Sequence, residues 1–129
     1  MRQLKEVLLP VSAVAPQDIG TADVTGSYLP MTDANRMLAV LTTAALTAGQ
    51  TATIELLQAT DASGTGAKEL KPAVTGTSTA EVLAVTAQVE VISDDFDTNN
   101  GFAFFAVKVT CSEAGKLGSA IAIKGDLRY

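Results

Sequence analysis

The nearest thing to a metal loop in this sequence is the run Ser93-Asp94-Asp95-Phe96-Asp97-Thr98-Asn99-Asn100-Gly101, where Asp95, Asp97 and Asn99 stand at alternate positions. Oxygen ligands at that spacing are what a calcium loop supplies. The pattern then departs from an EF-hand, which wants Gly where Asn100 stands and a bidentate Glu where Ala106 stands. Asp and Asn also favour tight connections between strands, so the run reads as a loop. Carboxylate pairs for glycoside chemistry could be drawn from Asp94, Asp95 and Asp97, or from Glu81 and Glu90, but nothing in the spacing sets two of them across a cleft. Gly64-Thr65-Gly66 lacks the third glycine of a dinucleotide loop, and Lys68 is not in P-loop spacing, so this segment reads as a flexible turn.

Histidine is absent, which removes the commonest general base, metal ligand and neutral-pH switch. A single cysteine, Cys111, allows no internal disulfide and no thiolate zinc cluster, and its place after Val107 and Val109 marks it as a small buried hydrophobe. Sugar recognition by stacking would draw on Trp or Tyr, and the chain holds no Trp and only Tyr28 and Tyr129. The reading is of a chain with no catalytic, cofactor-binding or metal-binding residues and no cofactor.

What remains to be positioned is apolar surface, and the elements that carry it alternate with a period of two. Ile121, Ile123, Gly125, Leu127 and Tyr129 interleave with Lys124, Asp126 and Arg128. Leu83 to Val91 and Phe105 to Val109 repeat the pattern, and Thr51 to Ala59 reads as a further strand. Arg36 to Leu46 fits a helix capped by Thr32 or Asp33, but its β-branched Val40, Thr42 and Thr43 favour a strand, joined to Thr51–Ala59 as a hairpin across Thr47-Ala48-Gly49-Gln50. Turn signals fall at Gly20–Gly26, Asp61–Gly66, Thr75–Ser78, Asp94–Gly101 and Ser112–Gly118. Seven or eight strands and no long helix predict an all-β chain: a single antiparallel β-sandwich, jelly-roll-like. Pro10 confines Leu4–Val11 to an edge strand or arm, so residues 1–16 are read as that arm and 17–129 as the sandwich domain.

Length and composition agree. At 129 residues the chain suits one core, and no apolar run approaches the ~18 residues of a membrane helix. Glu6 and Pro10 interrupt what would be the apolar core of a signal peptide. A net charge of −5 offers no positive footprint for a phosphate backbone, so neither nucleic acid nor membrane is expected as a partner. Hydrophobic residues make up 47% of the chain and charged residues 18%, too few charges to cover a surface evenly. Met37–Leu41 and Val82–Val85 are apolar on both faces, which is compatible with burial inside the domain and, with so few charges, points to some of this area being buried against another chain.

The segment Ala59-Thr60-Asp61-Ala62-Ser63-Gly64-Thr65-Gly66-Ala67-Lys68, preceded by Thr53–Gln58, resembles small structural proteins from the head-gene region of tailed bacteriophages. Gln17–Gly26 and Asp97–Phe102 extend the resemblance over most of residues 17–110. It rests on turn-and-strand texture rather than on a functional motif. The resemblance implies a capsid cement or decoration protein, made in the bacterial host cytoplasm and placed on the capsid surface of the virion, where a compact β-sandwich clamps neighbouring major capsid subunits. It brings no catalytic residue with it. Leu4, Val7, Leu8, Leu9 and Val11 are the expected contact with the major capsid protein, and a homo-oligomer, dimer or trimer, is expected from the lattice positions of a capsid. A tail or head-completion protein is the structural alternative, and a sugar- or calcium-binding β-sandwich module the alternative of another class.

Overall fold

Alternation of apolar and polar side chains along extended segments leaves each strand with one face to bury, and two sheets packed face to face satisfy all of them at once. A computed structural model describes residues 8–79 and 82–127, with backbone alone for Val82, Leu83 and Leu127. The strands are β1 (Leu8–Asp18), β2 (Val24–Thr25), β3 (Leu29–Pro30), β4 (Ala34–Thr47), β5 (Thr51–Ala59), β6 (Lys68–Thr77), β7 (Val82–Ile92), β8 (Phe104–Cys111) and β9 (Leu117–Leu127). A front sheet runs β1-β9-β4-β7, and a back sheet runs β2-β8-β5-β6, with β3 continuing the β2 edge along β8. Every strand pairing is antiparallel. The first strand lies beside the last and the chain passes repeatedly from sheet to sheet, which is the jelly-roll order, with β2 and β3 together making the eighth strand.

The ambiguous segment at Arg36–Leu46 is a strand, and Thr51–Ala59 forms β5 over those same residues. The two do not form a hairpin. β4 pairs with β7 and β9, whereas β5 pairs with β6 and β8, so Ala48-Gly49-Gln50 carries the chain from one sheet to the other. Gly49, at φ +87°, donates to the Ser78 carbonyl at 2.8 Å, and Ser78 returns a bond to the Gln50 carbonyl at 2.8 Å. This reciprocal pair ties the corner to the end of β6 and holds the sheets in register at that end. The Asp61–Gly66 turn is not loose either: Asp61 Oδ1 accepts from the Ser63 and Thr65 amides, and its Oδ2 from the Thr65 hydroxyl at 2.6 Å.

The inner faces are lined by Met37, Leu41, Ile54, Leu56, Val91, Phe105 and Val107 among many alanines, including Ala39, Ala52, Ala87, Ala120 and Ala122. Cys111 is buried among them and free. Small side chains let the layers approach closely, and two glycines that read as turn signals serve this instead. Gly76 lies inside β6, where a Cβ would stand 2.8 Å from Val85 Cγ1. At Gly26 a Cβ would stand 1.8 Å from the Ala13 carbonyl oxygen.

Among the described residues one inward position is charged. Lys124 on β9 is buried, and its ammonium donates to the Pro30 carbonyl at 2.8 Å and to Asp33 Oδ1 at 3.1 Å. Its stem spans the core while its head fastens the connection from β3 to β4.

Two expected outcomes follow from this packing. Gly26→Ala should lower unfolding free energy by more than about 2 kcal/mol, because the obstacle is backbone that cannot step aside. Lys124→Met should lower it by about 1–3 kcal/mol, since the Pro30 carbonyl loses its buried donor. Urea unfolding followed by circular dichroism measures both, and a change under about 0.5 kcal/mol in either variant would contradict the packing described.

Candidate interaction surface

Two acidic side chains of the β7–β8 connection pair with lysines of β6. Asp97 accepts from Lys68 and from Asn100, and its own amide donates to Gln58 Oε1 at 2.9 Å. Asp95 accepts from the Ile92 amide at 3.0 Å and faces Lys71 Nζ at 3.2 Å, while Asn99 is exposed in the short Thr98–Asn100 turn. The alternate acidic positions therefore knit the β7–β8 connection to β6, each carboxylate held by a lysine. Among the described residues no group of three or more His, Cys, Asp or Glu is arranged to hold a metal ion.

Lys68 and the Asn100 amide hold the Asp97 carboxyl below the usual carboxylate range. The Ile92 amide, aided by Lys71, does the same for Asp95. Asp61 is lowered by the Thr65 hydroxyl and the turn amides, and Glu113 by the Thr47 amide and hydroxyl. On the back sheet, Lys108 meets Glu55 at 3.2 Å and Asp23 at 3.9 Å. Lys116 faces Glu113 at 3.9 Å. With Lys124 on Asp33, every described lysine has an acidic partner.

The outer face of the front sheet contrasts with this. Register sets Leu8, Gly125, Arg36 and Ile92 in one outward row, Pro10, Ile123, Leu38 and Glu90 in the next, and Ser12, Ile121, Val40 and Gln88 in the third. Its charged side chains in these rows are Arg36 and Glu90. Among the described residues, the exposed large hydrophobic side chains Ile92, Leu117 and Ile121 lie on this face, Leu9 is exposed at the β1 edge in the inward row of Lys124, and Val74 belongs to the back sheet. A shallow groove of about 430 Å³ crosses the face, bordered by Leu8, Arg36, Leu38, Glu90, Ile123 and Asp126. Gly125 makes room for it between Leu8 and Arg36.

The expected contact residues are divided by this geometry. Leu8 points outward into the groove, Leu9 is 41% exposed at the sheet edge, and Val11 packs against the protein's own core. Val11 is therefore withdrawn from the contact set, because the core covers it, whereas Leu9, inward by the same register, stays exposed at the end of the sheet. Leu4 and Val7 lie outside the described residues, as do Glu81 and Tyr129. β1 pairs with β9 alone, and its open side is broken by Pro10, Pro16 and register shifts after Ser12 and Val14. Proline and bulges of this kind obstruct strand addition, so contacts along β1 fall to side chains rather than backbone. Tyr28 lies against the Asp61–Gly66 turn, where a Cβ on Gly64 would stand 2.7 Å from its ring.

No family model and no curated protein matches this chain. Solved structures share its general shape at low identity. The infectious bursal disease virus Gx strain structure is 9% identical over 92% of this chain, with a TM-score of 0.49, and the match spans 32% of that viral chain. A Bacillus endospore appendage protein is 9% identical over 95% of this chain and 90% of its own, with a TM-score of 0.45. The CBM35 domain of Cellvibrio japonicus Abf62 is 13% identical over 94% and 96%, with a TM-score of 0.46.

The lowered carboxylates set the acid response. A carboxylate bound better as the anion in the folded chain adds stability above its unfolded pKa, and that stability is lost as pH falls through the lowered folded value. Urea midpoints should therefore be flat near neutrality and fall below about pH 4, and Asp97→Asn should shallow the decline. Midpoints that rise on acidification would contradict the assignment.

Proposed function

We propose that this is a non-enzymatic structural protein of a virion, which binds the outside of a phage capsid and stabilises the shell by bridging major capsid subunits. The observation that carries the reading is the segregation of exposed apolar side chains onto the front sheet, while the lysines are spent on ion pairs elsewhere. The phage-like texture of Thr53–Lys68 supports the same assignment. Leu9 at the β1 edge and Leu117 at the start of β9, both exposed, supply apolar contact area on a rigid sandwich. Repetition over a lattice turns modest single contacts into shell stability.

The test is co-sedimentation of the purified chain with expanded capsids, together with a protein gel of purified virions. Leu9→Glu and Leu117→Glu should each weaken retention by roughly tenfold or more, since a charge placed in an apolar contact must be desolvated. A lattice protein appears in hundreds of copies per virion and a tail or head-completion ring component in about a dozen. Absence from virions would overturn the function, and unaltered retention of both variants would overturn the surface.

A further inference from the structure

We infer that the outer face of the front sheet pairs with the same face of a second copy about a two-fold axis, an inference that rests on the structural role proposed above and names one partner of that surface. Among the described residues Arg36 is the cation that enters no ion pair, and the nearby Glu90 enters none either. They sit on neighbouring strands, since Arg36 is opposite Ile92 and Leu38 is opposite Glu90. At a strand spacing of ~4.8 Å and a rise of ~3.4 Å per residue, their backbones are about 8 Å apart. Both border the groove, with Asp126 beyond them holding the Asn35 side-chain amide, on a face whose other outward residues in these rows carry no charge.

That arrangement is self-complementary. A two-fold axis lying over the midpoint between the two residues, at right angles to the line joining them, places Arg36 against Glu90 of the partner subunit and forms the same pair again by symmetry. The strand register then fixes what else meets. Leu38 and Ile123 lie beside the axis and face their own copies, and Ile121 falls over Pro10 of the partner subunit. Val40 comes close to Leu8 of the partner subunit. The centre is thus apolar and flanked by two ion pairs, the layout of a specific interface with a dry core. A dimer built this way presents two β1 edges to a capsid, which makes the bridging bivalent.

Sedimentation equilibrium on the full chain tests it. The unaltered chain should be dimeric, and Arg36→Glu and Glu90→Arg should each weaken the dimer by roughly tenfold or more, because each homodimer then holds two like-charge contacts. An equimolar mixture of these two variants should recover dimers, since in the mixed pair each reversed charge meets an opposite one. Ile123→Asp should be monomeric, with its thermal unfolding checked by circular dichroism. Both charge variants alter exposed positions, so the mixing result stands even if Ile123→Asp fails to fold. A chain that stays monomeric up to about 1 mM, or a mixture no more dimeric than its components, would overturn the inference. Monomeric chain that still sediments with capsids would overturn the dimer and leave the proposed function standing; dimeric chain that ignores capsids would do the reverse.

Discussion

The close approach of two sheets across a core of small side chains is the constraint on which the rest of this structure depends. Alanines at 39, 52, 87, 120 and 122 line the interior, and Gly26 and Gly76 stand where a single added carbon would strike a neighbouring strand. Close-packed interiors transmit such collisions instead of absorbing them. Thin layers also leave little room for error in register. The front sheet meets this with Thr43, whose hydroxyl accepts from the Val85 amide at 3.0 Å and so fills the gap left by the irregularity between Thr42 and Ala45. Among the described residues no buried side-chain nitrogen or oxygen is left without a partner.

Topology imposes a second demand, because among the described strands β5 and β6 alone are both consecutive in the chain and paired within one sheet. Every other pairing joins segments distant in sequence, as β1 with β9 and β4 with β9 do. The connections must therefore be fixed by contacts between loops. At one end Glu113 grips the amide and hydroxyl of Thr47, Ser112 binds Gln50, and Ser78 binds the Leu46 carbonyl. At the other, Gln58 bridges the Asp97 amide and the Glu69 carbonyl, and Lys124 holds Pro30 and Asp33. Polar residues that look like candidates for chemistry are spent on closing the sandwich.

This explains which parts were legible in the sequence. Alternation is local, so the existence of β5, β7, β8 and β9 could be read directly, and β-branched residues were enough to decide β4. Partnership is not local. A tight turn at Thr47–Gln50 has the same composition whether it joins neighbours in one sheet or turns a corner between two, and only the distant β7 and β9 decide which. Thr75-Gly76-Thr77 misleads for a related reason, since a glycine needed for close packing against Val85 looks like a glycine needed for a turn. The site was legible in part: Met37–Leu41 announced itself as apolar on both faces, but Val11 could be told from Leu8 only once the register with β9 assigned each to a side.

The same register gives the low charge content a physical meaning. A two-layer sandwich has two outer faces to solvate, and a chain with few charged residues has to choose where to put them. Here the described lysines of the back sheet and the connections each meet an acid, Lys124 turns inward to Asp33, and the three rows around the groove are left with Arg36 and Glu90. An apolar face in water is a standing free-energy cost that covering it removes. Lone charges of opposite sign set on that face do little for its solubility, yet they discriminate sharply among the ways of covering it, because a misplaced partner would leave each of them desolvated and unpaired. Apolar area thus supplies the drive to associate, and the two charges select the geometry in which association happens.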